Sequence, residues 1–186
     1  GGSPELEEAF LYRCAYANVI LKQPIHRYMV QMILRLCRWG ARVSRLCKIA
    51  ALQYYAKNKG MLEEKNRGQV AKIIRELFEE NCLLPVLQQF ADLVPEVWEI
   101  LDKTFVVYEG EPEKQLVLNY RRVEGELAEA QYHEMELPCV CDGIYAAGFI
   151  LFPGERLQYY ITVSERPEKI LENGMLLAQE EAAEAM

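Results

Sequence analysis

Histidine is almost missing from this chain of 186 residues. His26 and His133 are the only two, and neither sits in a nucleophile or metal motif. Acid–base or nucleophilic catalysis needs a convergent set of titratable groups. The sequence contains no GxSxG, GxGxxG, P-loop or HExxH pattern, so nothing in it points to an enzyme or a bound cofactor. Long apolar runs are missing as well. The most apolar helical stretch, Ile25 to Trp39, is interrupted by Arg27, Gln31, Arg35 and Arg38, which excludes a spanning helix of ~20 apolar residues. Zinc spacing is absent among Cys14, Cys37, Cys47, Cys82, Cys139 and Cys141. These read as reduced, mostly buried thiols of a cytosolic protein. Cys139-Val140-Cys141 would place two thiols on one face of a strand, too few ligands for structural zinc.

The absence with most content is that of acidic residues. No Asp or Glu occurs from Ala9 to Leu62, while Lys and Arg occur ten times there. The whole chain nevertheless carries a net charge of −7, because its remaining two thirds are strongly acidic. Gly1-Gly2-Ser3 lacks an initiator Met and reads as the start of a piece of something longer.

What is present begins with helical periodicity. Ser3 is a good N-cap with Pro4 behind it, and Leu6, Phe10, Cys14 and Ala17 follow at helical spacing. Pro24 is expected to open a second helix, with Ile25, Met29, Met32, Ile33 and Leu36 on its apolar face and Gly40 closing it. A third runs from about Arg42 to Lys57, and a fourth from about Glu63 to Asn81 with Val70, Ile73, Ile74, Leu77 and Phe78 on one stripe. A shorter helix after Pro85 and a turn at Pro95 complete this part. Val30, Leu34, Ile49 and Leu52 also need burial, so the second and third helices have apolar residues on more than one face. Such helices suit the interior of antiparallel α-hairpins arranged like repeats.

After Asp102-Lys103 the period shortens to two. Thr104–Tyr108, Gln115–Arg122, Ala130–Leu137, Gly143–Leu151 and Arg156–Val163 read as strands separated by turn-rich pieces. Phe152-Pro153-Gly154-Glu155 suits a type II turn, and it is expected to join the last two strands into one hairpin. The expected fold class is α+β: a helical domain over 1–102, then a small antiparallel, immunoglobulin-like β-sandwich over 103–171. A tail over 172–186 is read as the start of a following helix. Trp98, Ile100, Leu101 and Phe105 are expected where the sandwich meets the last helix.

In this order of elements the sequence resembles a domain family of unknown function found in very large Firmicutes proteins, where helical repeats alternate with β-sandwich modules. The matching positions are Asp102–Val106, Glu134-Met135, Asp142–Tyr145 and Phe149 through Ile161, above all Phe152, Gly154-Glu155 and Gln158–Ile161. The resemblance spans roughly Cys47 to Glu165. It implies an architecture and no chemistry, and it does not account for the basic Ala9–Leu62 segment.

Two groups of residues are candidates for recognition. Arg35, Arg38, Arg42, Arg45 and Lys48 cluster around the turn between the second and third helices and offer a surface for an anionic partner. That partner is a protein or a neighbouring domain of the same chain. Nucleic acid fits poorly, because stacking aromatics are not interleaved and the whole chain is acidic. A membrane surface has no supporting segment. Tyr132 and Tyr160 are candidate exposed aromatics for stacking on a glycan, whereas Tyr120 and Tyr159 fall on the core face. The expected role is therefore a non-catalytic structural and interaction module of a larger bacterial, cytoplasmic protein, with no metal or cofactor. The alternative is a carbohydrate-binding or accessory module of a larger enzyme.

Overall fold

A computed structural model describes residues 4–79 and 104–178. The chain divides into two compact units, 1–98 and 99–186. The described part of the first consists of four helices: α1 (Pro4–Val19), α2 (Arg27–Arg38), α3 (Arg45–Lys57) and α4 (Glu64–Glu79). The second is antiparallel β throughout its described part, so the fold class is α+β as the periodicities require. The expected helix after Pro85, the turn at Pro95, and Trp98, Ile100 and Leu101 lie outside the described residues.

Local chemistry sets most helix ends. Ser44 caps α3, its Oγ accepting from the Cys47 amide at 3.3 Å. Gly40 has φ +78 and closes α2, where the amides of Gly40 and Ala41 reach back to the carbonyls of Cys37 and Leu36. This is the left-handed C-terminal cap that favours glycine. Pro24 does not start α2. The helix begins at Arg27, because the His26 ring accepts from the Tyr28 amide at 3.1 Å and acts as the N-cap.

Helix α3 is the centre of the bundle and packs against each of the other three. Cys47, Ile49, Ala50, Ala51, Leu52 and Tyr55 are all buried, as an interior helix with apolar residues around its circumference requires. Val30 and Leu34 of α2 are likewise buried. Helix α1 departs from expectation. Its buried stripe is Leu11, Ala15 and Val19, while Leu6 is 67% and Phe10 52% exposed. Apolar residues surround this helix, so spacing alone could not select the inward face.

The β unit contains β1 (Thr104–Glu109), β2 (Leu116–Glu124), β3 (Leu127–Ala128), β4 (His133–Glu136), β5 (Cys139–Cys141), β6 (Ile144–Phe149), β7 (Glu155–Val163) and β8 (Arg166–Leu177). One sheet has the order β1-β6-β5. The other, a curled sheet, runs β3-β2-β7-β8, with β4 also paired to β2. Val106, Tyr145, Ala147 and Phe149 from the first face Leu116, Leu118, Leu157 and Ile161 from the second in one core, with Tyr120 and Tyr159 packed against it. The period-two alternation read from β2 and β7 is the core pattern.

Three expectations for this unit are corrected. Residues Asp142–Glu165 do not form one hairpin, because β6 and β7 belong to different sheets. The Phe152–Glu155 turn does form, with Gly154 at φ +87 and the Glu155 amide donating to the Phe152 carbonyl at 2.9 Å. A type II turn matches the twist of paired strands poorly, and here it carries the chain between sheets. Cys139 and Cys141 do not share a face: a register shift between them leaves Cys139 exposed and Cys141 buried. Finally, residues 172–177 are strand and not helix, since β8 pairs with β7 as far as Leu177. The residues after Ala178 lie outside the described part.

Candidate functional site

Of the five basic candidates all but Lys48 are exposed, and two bind α4. Arg38 and Lys48 are engaged with α4: Arg38 donates to the buried Asn66, and Lys48 forms an ion pair with Glu76 at 3.0 Å. The Lys48 side chain is only 14% exposed, so it serves the bundle. Arg35, Arg42 and Arg45 are exposed. Arg35 lies in the last turn of α2, where the helix dipole favours a cation. Arg45 occupies the first turn of α3, which itself holds no acidic residue, although this helix end is already the positive one. The α2–α3 turn therefore concentrates positive potential.

Beside this turn lies the exposed face of α1. Leu6, Phe10, Tyr12 and Tyr16 are all large and exposed, and Trp39 at the end of α2 is 70% exposed. A groove of about 290 Å³ joins the two regions, lined by Glu8, Ala9 and Tyr12 of α1 and by Arg42, Ser44 and Cys47. Burial pushes the thiols of Cys47 and Cys37 up, the latter to about 11. Neither is a nucleophile at neutral pH. Within the groove Ala9 and Tyr12 offer apolar contact and Arg42 a cation, with Glu8 as an acidic group in the same lining. It offers recognition chemistry.

Tyr132 and Tyr160 are half-buried, not freely exposed. Their rings pack edge to face with centroids 5.0 Å apart, and the Arg121 guanidinium lies 4.8 Å above Tyr132. Arg121 is itself fixed by Gln158 at 2.8 Å. A pyranose stacks on an open ring face, and one face of Tyr132 is already taken. Among the described residues no group of three or more His, Cys, Asp or Glu is placed to hold a metal. Nor is any described helix long and apolar enough to cross a membrane.

Sequence reasoning missed Phe10, Tyr12, Tyr16 and Trp39 as surface residues. The available signal was that α1 has more large apolar residues than one buried stripe can use. The fold and this surface define an α+β protein with a helical bundle that presents an aromatic and basic face. The chain matches the model described as the C-terminal family of unknown function DUF5717 over residues 1–185, and it belongs to that family. No curated protein and no solved structure matches it.

Proposed function

We propose that this chain is a non-catalytic interaction module of a larger cytosolic protein, and that its helical unit docks an acidic protein surface. The observation that carries this reading is the continuity of the exposed α1 face with the acid-free α2–α3 turn across one groove. Apolar area supplies affinity, while Arg35, Arg42 and Arg45 supply orientation and association rate. The partner is a protein segment or neighbouring domain with carboxylates beside an apolar ridge. The β unit, in this reading an immunoglobulin-like sandwich in the broad sense of two antiparallel sheets over one core, gives a rigid body for attachment. Carbohydrate stacking draws less support, because Tyr132 is occupied by Arg121.

The test is affinity capture from cell lysate along a salt gradient. Wild type and Lys59→Glu are expected to retain the same acidic protein, while Arg35→Glu combined with Arg42→Glu loses it. These two arginines are chosen because reversing Arg38 or Lys48 would also disturb α4. Undiminished capture by the double reversal, at all salt concentrations, would remove the basic turn from the interface.

A further inference from the structure

A second cavity lies wholly within the β unit and has about 440 Å³ of space, within the ~300–1,000 Å³ range of small-molecule sites. Its apolar lining comes from Tyr108, Leu116, Val163 and Leu171. A β-bulge builds one wall. From Thr162 to Val163, one step on β7, the partner on β8 moves from Ile170 to Arg166. Pro167, Glu168 and Lys169 are thereby looped out of the ladder. Pro167 has no amide to pair, which suits an edge strand, and bulges commonly re-aim side chains toward a site. Opposite stands the β1–β2 loop, held by the Tyr145 hydroxyl, which donates to the Glu111 carbonyl at 2.7 Å and accepts from the Lys114 amide at 3.3 Å.

The charges are distributed unevenly. Residues 104–178 hold thirteen acidic and only six basic side chains. Arg121, Arg122 and Arg156 are committed to Gln158, Glu155 and the Gly125 carbonyl. The other three, Lys114, Arg166 and Lys169, all line this cavity. Glu111 and Glu165 line it too, and Glu111 reaches Lys114 only at 3.8 Å with both side chains well exposed. Such a pair holds its lysine weakly. The local balance is therefore positive inside an acidic unit, above an apolar floor.

We propose that this cavity binds a small amphipathic organic anion, a carboxylate or phosphate ester with an apolar tail. The tail lies on Tyr108, Leu116, Val163 and Leu171, and the headgroup meets Lys114, Arg166 and Lys169. The test is titration of the ¹⁵N-labelled chain with octanoate, octyl phosphate, octylammonium and octyl glucoside. Saturable amide shifts at Gly110, Lys114, Ser164 and Lys169 are expected from the anions and not from octylammonium. The tighter of the two anions identifies the headgroup. Lys169→Gln, at an exposed position of the bulge, and the double variant Lys114→Gln/Lys169→Gln should fold normally. The double variant should weaken binding about tenfold or more, whereas Arg35→Gln leaves it unchanged. Equal response to octylammonium, no saturable shift from either anion, or unchanged affinity in Lys169→Gln and the double variant would each overturn the proposal.

Discussion

Replacing Tyr145 by Phe tests how a buried side chain of the β unit holds the β1–β2 loop. The ring is 1% exposed and packs in the shared core, so the aromatic burial survives the change. What is lost is the hydroxyl that bonds Glu111 at 2.7 Å and Lys114 at 3.3 Å across more than thirty residues of sequence. A net hydrogen bond contributes about 0.5–1.5 kcal/mol, and the longer of the two lies at the low end. Glu111 and Lys114 are themselves exposed, so water can reach their backbone groups once the loop relaxes. The expected loss is therefore about 1–2 kcal/mol, well below the ~3–5 kcal/mol of removing a whole buried aromatic ring. Urea unfolding followed at the Leu118 amide reports the β unit separately from the helices, which two-unit chains require. Amide exchange at Lys114 reports the loop. An unchanged midpoint together with unchanged exchange at Lys114 would show that the hydroxyl does not pin the loop.

Other perturbations probe different links. Glu76→Gln leaves Lys48 poorly solvated and without its 3.0 Å partner. The cost should be about 1–2 kcal/mol, between the exposed and the buried limits for ion pairs, and thermal unfolding of the helical unit measures it. The Glu129 carboxyl lies below its ordinary 4.5, chiefly through the Arg122 amide and then His133. Its stabilisation is thus present above pH 4.5 and is lost as pH falls through the lowered value. Glu129→Gln should flatten that acid limb of the stability curve, and an unaltered limb would contradict the assignment. Thiol labelling read by peptide mass should modify exposed Cys139 first, and Cys47 and Cys141 only on unfolding. Burial raises the pKa of both of the latter.

The elements most readable from the chain were those punctuated by local chemistry. Gly40 marked the end of α2 because its positive φ acts within a few residues, whereas Ser44 went unread as the cap of α3, whose start was placed at about Arg42. His26 was not legible as a cap, since histidine rarely takes that role. The alternation of Leu116 with Leu118 and of Leu157 with Ile161 marked a half-buried sheet. It could not say that β6 and β7 join different sheets, because pairing is decided by partners far away in sequence. Strand β8 contains Pro167, Asn173 and Gly174, poor strand formers, and is held as a strand by its ladder to β7. The basic cluster was visible as composition. Which cations serve the fold depends on Asn66 and Glu76, 28 residues beyond Arg38 and Lys48. Lys114 and Lys169 could not be associated from sequence at all.

Hydroxyl-radical footprinting reads the proposed docking surface, the α1 face and the α2–α3 turn, directly. In the isolated chain Phe10, Tyr12, Tyr16 and Trp39 are exposed and should oxidise readily. When the acidic partner is bound, Phe10, Tyr12 and Tyr16 should be protected, and peptides carrying Arg42 should show the same footprint. Full oxidation of these rings in the complex, with protection falling on Tyr132 and Tyr160 instead, would contradict the proposed surface and move the site to the β unit.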